Sequence, residues 1–250
     1  FIIALLISSK LIYIQMQLFW GVKHDNSTII IEGEEVVHLN KSLRKQQGDL
    51  INLIDGSGVI YKCELGQMSR NQAFASIVEI VQSKKKWLGK LHLAIALTKN
   101  IDRIEWFVEK AVEMGVDEIS FINCERSVKT SIKIDRIKRI VQSSMKQSLN
   151  CYLTLINNDI SFNQILENTK DYSTKLIPHC EDIEKVNLSN AFIGGGKTIV
   201  LIGPEGDFTS SEVNLAIESG FSPASMGETR LRTETAGMMA VAIYQSQNWR

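Results

Sequence analysis

The alternation of apolar and polar residues changes period near residue 90. Before that point, Thr28 to Ile31, Leu50 to Ile54, Val59 to Leu65 and Ala73 to Val81 have the length and β-branched content of strands, and Asp55-Gly56-Ser57-Gly58 turns the second into the third. One helix interrupts them. Val36, Leu39 and Leu43 give it an apolar stripe, Lys41, Arg44 and Lys45 share its polar side, and Gly48 ends it. The pattern predicts a small β-barrel over residues 16–83. Beyond it, strand candidates Leu91 to Leu97, Glu118 to Ile122, Lys175 to Pro178, Thr198 to Ile202 and Ala224 to Met226 alternate with helices near Asp102 to Met114, Lys133 to Leu149 and Ser210 to Ser219. Such alternation predicts an α/β domain with a mainly parallel sheet over residues 90–250.

Two strand-to-turn-to-helix units near the C-terminus carry the candidate chemistry. In the first, Ile199 to Ile202 runs into Gly203-Pro204-Glu205-Gly206, and Thr209-Ser210-Ser211-Glu212 forms a capping box for a helix with Val213, Ala216 and Ile217 apolar and Gly220 at its end. Glycines at 203 and 206 allow positive φ and close approach of a ligand to the backbone. In the second, Met226-Gly227 leads through Arg230, Leu231, Arg232 and Glu234 into a helix with Ala236, Met239, Ala240, Ile243 and Tyr244 on one face and Thr233 as N-cap. Either turn alone is an ordinary connection. Two of them at neighbouring strand ends predict a pocket, and two arginines after a glycine turn suit an anion or a nucleobase.

The turn Gly203-Pro204-Glu205-Gly206 and the run Leu231-Arg232-Thr233-Glu234-Thr235-Ala236, in this order, resemble the ribosomal RNA small subunit methyltransferase E family. The resemblance extends upstream through Glu109-Lys110-Ala111-Val112-Glu113-Met114-Gly115-Val116, Cys124-Glu125-Arg126-Ser127-Val128-Lys129 and Lys146-Gln147-Ser148, and covers the chain from about Met16 to its end. The chain departs from the pattern at three places: many members of the family carry a glycine where this chain has Asp207, an arginine at Asn150 and a proline near Thr154. The resemblance implies a PUA-like RNA-binding barrel followed by a SPOUT methyltransferase domain with a C-terminal trefoil knot. It also implies the cofactor S-adenosyl-L-methionine, a 16S rRNA or small-subunit substrate methylated at N3 of one uridine, a homodimer and a cytoplasmic location. Carried over by position, Ile202, Gly203, Glu205, Gly206, Met226, Gly227, Leu231 and Arg232 hold the cofactor. His179, after the Lys175 to Pro178 strand, is added as a possible lining residue; Lys41, Arg44, Lys45 and Arg126 are RNA contacts.

Composition narrows little further. Lysine plus arginine equals aspartate plus glutamate at 28 each, so RNA binding must come from local patches rather than net charge. Cys63, Cys124, Cys151 and Cys180 show no paired spacing and the four histidines are scattered, which supports neither a metal site nor disulfides and fits a reducing cytosol. Residues 1–15 lack the features of a signal peptide and are too short to cross a membrane; they read as an upstream extension of a chain starting at Met16. Residues 84–89, with Lys84-Lys85-Lys86, read as a basic linker. Gly194-Gly195-Gly196-Lys197-Thr198 has the ending of a phosphate-binding loop, but Ala191 stands where such a loop needs glycine and the strand follows the lysine instead of preceding it.

Methyl transfer to N3 requires that nitrogen to lose its proton, which spreads negative charge onto the uracil oxygens. Arg232 is the candidate to stabilise that charge; the competing reading is a salt bridge from Arg232 to Glu234 or Glu205. Glu205 is the nearest carboxylate for the proton, with a structural role, binding backbone amides of the knot, at least as well supported. The alternative function is a non-catalytic RNA-binding protein with a knotted ligand-binding domain.

Overall fold

The computed structural model describes residues 5–7, 10–12, 16–128, 131–192 and 194–249, and the chain divides after Lys84 into two compact units. Strands β1 (Leu5–Ile7) and β2 (Lys10–Ile12) pair antiparallel. The remainder of the expected extension at 1–15 lies outside the described residues.

The first unit contains β3 (Leu18–Trp20), β4 (Val22–Lys23), β5 (Thr28–Glu32), α1 (Glu34–Val37), a π-helical turn (His38–Ser42), β6 (Leu50–Ile54), β7 (Val59–Met68) and β8 (Gln72–Gln82). The sheet order is β3-β6-β7-β8-β5-β4. Strands β3 and β4 therefore lie at opposite ends of the order, yet only Gly21 separates them in sequence. One residue spans about 3.8 Å, so the sheet must curl until its edges meet. Inward-facing Phe19, Ile29, Ile31, Leu53, Tyr61 and Leu65, with Val36 and Leu39, fill the interior. At the seam, a Cβ on Gly21 would lie 2.4 Å from Ile29 Cγ2 and 3.3 Å from the Ile30 carbonyl oxygen. Gly21→Ala is expected to cost about 1–3 kcal/mol in urea unfolding; an unchanged midpoint would mean that the seam relaxes freely.

The expected helix over Val36 to Lys45 is shorter than its pattern. The Leu43 amide donates to the His38 carbonyl at 3.1 Å and the Lys45 amide to the Leu39 carbonyl at 2.9 Å. These widened turns end the helix at Ser42, and Arg44 adopts a left-handed φ of 53°. Lys41, Arg44 and Lys45 are thus close in sequence but do not share a helical face.

The second unit contains β9 (Lys90–Ala96), α2 (Ile101–Met114), β10 (Glu118–Asn123), α3 (Ile134–Ser148), β11 (Leu155–Ser161), α4 (Phe162–Glu167), β12 (Thr174–Pro178), β13 (Val186–Asn187), α5 (Leu188–Ala191), β14 (Lys197–Ile202), α6 (Ser210–Glu218), β15 (Ser222–Ser225) and α7 (Thr233–Asn248). Its seven strands are all parallel, in the order β11-β10-β9-β14-β12-β15-β13. Central strands β9 and β14 are nearly continuous buried runs, as expected when helices cover both faces. Residues 85–89, expected as a linker, are packed within this unit. Trp87 is buried and donates from Nε1 to Asp117 Oδ2 at 3.1 Å, and the Leu88 amide donates to the Asn248 carbonyl at 2.8 Å.

Helix α7 is rotated from the expected face. Thr233, Gly237, Ala240, Val241 and Tyr244 are buried, while Ala236, Met239 and Ile243 are only half-buried. Gly237 explains the rotation: a Cβ there would lie 2.7 Å from the Phe107 ring, so the helix approaches α2 through its glycine. In α6, Val213 and Ala216 are buried as expected, whereas Ile217 is exposed. The Gly194 to Gly196 segment is a turn leading into β14, and Lys197 forms an ion pair with Asp171 and lies over the Tyr172 ring. That lysine is the first residue of β14 and is engaged by the fold, so the segment expected as a flexible loop does not extend to it.

Candidate active site

Strands β14, β12 and β15 are neighbours and parallel, so their C-terminal ends lie side by side and the segments 203–209, 179–185 and 226–232 emerge at one edge of the sheet. Open parallel sheets bind ligands at such an edge. Helix α2 starts at the same edge, because it follows β9, the other neighbour of β14.

The glycine turn has a different conformation from the one expected. Neither Gly203 nor Gly206 takes a positive φ; the left-handed residue is Asp207, at φ 61°. Gly203 instead sits in a tightly packed place, since a Cβ would lie 3.1 Å from the Phe208 ring and 3.3 Å from Asp207 Oδ1. In the third segment Gly227 does take a positive φ, 107°. Ile202 is buried at the end of β14, Met226 and Leu231 are half-buried, and Glu205, Gly206 and Arg232 are exposed.

Side chains tie the segments together. Thr233, expected to cap α7, is its first helical residue; Arg232 occupies the N-cap without a side-chain capping bond. The Thr233 hydroxyl donates instead to the Gly203 carbonyl at 3.0 Å, joining α7 to the turn after β14. Arg126 donates from Nη1 to the Gly206 and Phe208 carbonyls at 2.9 and 3.3 Å. The Asp207 carboxylate accepts from the Cys180 amide at 2.7 Å and from the Phe208 amide at 2.8 Å. The expected capping box of α6 is present, and the same Glu212 side chain accepts from the Glu125 amide at 2.8 Å.

Arg103 is the site residue that sequence reasoning missed. Its guanidinium lies 3.8 Å from Glu205 Oε1 and 3.7 Å from Glu234 Oε1. The pairing considered for Arg232 therefore belongs to Arg103, and among the described residues no hydrogen bond or ion pair engages Arg232. Only the strand order brings α2 to this edge, so no local pattern around Arg103 would have revealed it. Of the expected RNA contacts, Arg126 belongs to this site, whereas Lys41, Arg44 and Lys45 belong to the first unit.

Two buried polar atoms at the edge, His179 Nε2 and Glu234 Oε2, have no hydrogen-bond partner among the described residues. The His179 Nδ1 accepts from the Glu181 amide at 3.2 Å, which leaves the proton of the neutral ring on Nε2. Burial, aided by Lys185, holds the His179 pKa below its ordinary value, against the opposing pull of Asp207 and Glu181. The edge thus offers one unfilled donor and one unfilled acceptor, each costly to leave unpaired. S-adenosyl-L-methionine carries acceptors on its adenine, ribose and carboxylate and donors on its adenine amine, hydroxyls and ammonium, so the residues present fit that group. Two open concavities, of about 350 and 390 Å³, flank α6 and are not lined by the three segments. Among the described residues no cluster of three or more His, Cys, Asp or Glu is placed to hold a metal, and no helix is long and apolar enough to cross a membrane.

A family model described as an RNA methyltransferase domain matches residues 84–245. The chain belongs to this RNA methyltransferase family. A second family model, described as an RNA methyltransferase PUA domain, matches residues 31–78 within the first unit. The chain is similar to the ribosomal RNA small subunit methyltransferase E of Bacillus subtilis (strain 168), with 27% identity over 232 residues, 88% of this chain and 90% of that protein. Among solved structures, a probable rRNA-methyltransferase from Porphyromonas gingivalis superposes with a TM-score of 0.85 at 35% identity, covering 93% of this chain and 99% of that one. The ribosomal RNA small subunit methyltransferase E from Neisseria gonorrhoeae, bound to S-adenosyl methionine, superposes with a TM-score of 0.78 at 28% identity, covering 93% and 98%. The edge where β12, β14 and β15 end is where an open parallel sheet binds a ligand, and it holds two of the buried polar atoms that have no hydrogen-bond partner among the described residues.

Proposed function

We propose that the protein methylates N3 of a uridine in 16S rRNA, with S-adenosyl-L-methionine as methyl donor held by the three segments after β12, β14 and β15. The observation that carries this reading is that, among the described residues, His179 Nε2 and Glu234 Oε2 are buried without a hydrogen-bond partner and Arg232 is exposed without an ion pair. The cofactor supplies an electrophilic methyl group on a sulfonium. Backbone groups of Ile202, Gly203, Gly206, Met226, Gly227 and Leu231 line its place, and Thr233 holds the Gly203 carbonyl so that the turn keeps its shape. Arg232, at the start of α7 and free of carboxylate partners among the described residues, stabilises the negative charge that spreads over the uracil oxygens as N3 gives its proton to water. Glu205 is the carboxylate nearest that chemistry by sequence, but its approach to Arg103 supports a loop-shaping role.

The RNA is held outside the pocket. Lys41, Arg44 and Lys45 supply phosphate contacts from the first unit, which carry orientation and salt dependence but no sequence information. The target uridine is turned out of its local structure to reach the edge. The protein acts as a homodimer, for which the half-buried Ala236, Met239 and Ile243 of α7 supply apolar surface.

Calorimetry of the wild type and of Gly203→Trp tests the reading. Binding of S-adenosyl-L-methionine by the wild type and its loss in a folded Gly203→Trp variant are expected, since even a Cβ at 203 crowds Phe208 and Asp207. A folded wild type that does not bind the cofactor would favour the non-catalytic RNA-binding alternative.

A further inference from the structure

Asp207 stands where the family resemblance places glycine, and its side chain makes bonds that glycine cannot. Aspartate tolerates the left-handed φ of 61° that the position imposes. From there its carboxylate reaches in two directions, with Oδ1 accepting from the Phe208 amide and Oδ2 from the Cys180 amide across to the segment after β12. The neighbouring Glu181 amide is taken by the His179 ring itself. The strip from His179 to Glu181 is therefore pinned at two successive amides. The imidazole is nearly enclosed, with its Nε2–H buried and without an acceptor among the described residues. Lys185, Glu181 and Asp207 are the charged groups that act on the ring, and Arg230 acts on the adjoining Cys180. Pro178 fixes the strand end immediately before the ring, and β12 lies between β14 and β15, so His179 sits between the two turns assigned to the cofactor.

We infer that His179 donates its Nε2–H to an acceptor nitrogen or oxygen of S-adenosyl-L-methionine, and that Asp207 is the positioning residue that aims it by clamping the Cys180 amide. The inference rests on the reading of this edge as the cofactor site. It assigns Asp207 a role that this chain holds in place of the glycine's conformational freedom. A glycine at 207 would keep the turn and lose the clamp.

A double-mutant cycle read by calorimetric affinity for S-adenosyl-L-methionine separates this from a merely structural role. His179→Leu is expected to weaken binding about tenfold, because the ligand acceptor loses its donor. Asp207→Gly, which suits the left-handed backbone, is expected to weaken it about fivefold by releasing the strip. The double variant should bind no more weakly than His179→Leu, since the clamp then has nothing to aim. Asp207→Asn keeps one of the two accepting oxygens and sets a donor against the other amide, so it should recover only part of the affinity lost in Asp207→Gly. Two separate penalties that multiply in the double variant, or a His179→Leu variant that binds like the wild type, would overturn the inference while leaving the cofactor site intact. Failure of the wild type to bind would instead overturn the functional reading beneath it. Nitrogen NMR of the wild-type ring gives a check independent of any variant: protonated Nε2 that shifts on cofactor addition is expected. A proton on Nδ1, or an Nε2 signal unmoved by saturating cofactor, would overturn the assignment.

Discussion

Arg232→Ala is expected to lower methyl-transfer turnover about a hundredfold while leaving the Kd for S-adenosyl-L-methionine within about twofold of wild type. The expected size is that of removing one preorganised donor from a developing oxyanion. The split between turnover and affinity follows from geometry. Arg232 is the exposed N-cap of α7, its side chain supports neither the Gly203 turn nor the helix, and the carboxylates of Glu205 and Glu234 are paired with Arg103. Lysine at 232 keeps the charge and loses the planar fork, so Arg232→Lys should recover only part of the rate. The measurement is single-turnover methylation of the RNA alongside calorimetry on the same preparations. Wild-type turnover in Arg232→Ala would remove the residue from the chemistry. A loss confined to the KM for RNA would make it a substrate-binding group instead.

The longer apolar strands were legible, whereas β3 (Leu18–Trp20) is apolar but too short to stand out. Leu50–Ile54 has the bounds read from its pattern, and Thr28–Glu32, Lys90–Ala96, Glu118–Asn123 and Lys197–Ile202 differ from theirs by a residue or two. β11 escaped because Asn157, Asn158 and Asp159 break its apolar run, which an edge strand with exposed residues tolerates. α4 escaped because it is short, although Ser161 and Gln164 form its capping box. The helix at Val36 was legible as a helix but not in its end: its apolar spacing runs on to Leu43, whereas widened backbone hydrogen bonds stop it at Ser42.

At the site, the two turns could be read because each announces itself locally through glycine, proline and a helix start. What could not be read is what the sheet order brings together. Arg103 lies on a helix far upstream and reaches Glu205 and Glu234 only because β9 is the neighbour of β14. The glycines also misdirected the conformational reading, since Gly203 and Gly206 suggested positive φ and the chain uses it at Asp207. A carboxylate that caps its own neighbour's amide and a distant one makes that choice stable, and the distant partner is invisible in sequence.

The opposite edge of the sheet carries a titration with a comparably large expected effect. His92 is buried between two hydroxyls: Nδ1 is 2.8 Å from Tyr172 Oη and Nε2 is 2.7 Å from Ser120 Oγ. Either hydroxyl can donate or accept, so the neutral ring is satisfied in both tautomers. Protonation would give the ring two donors and a charge in a desolvated place. Burial, with the Lys197 ammonium adding to it, lowers its pKa from 6.5 to about 4, although Glu118 Oε1 lies 3.8 Å away. Below pH 6.5 the unfolded chain binds a proton that the folded one refuses until about pH 4, so this contribution to stability is complete above pH 6.5 and is lost as the pH falls through that window. The loss is expected to reach about 2 kcal/mol at pH 5 and about 3 kcal/mol by pH 4. Urea unfolding of the wild type and of His92→Gln at pH 7 and pH 5 isolates it from every other titrating group. The variant, less stable at pH 7 through imperfect replacement of the two hydroxyl contacts, should lose about 2 kcal/mol less on acidification. Equal losses in the two proteins would assign the acid sensitivity to groups other than His92.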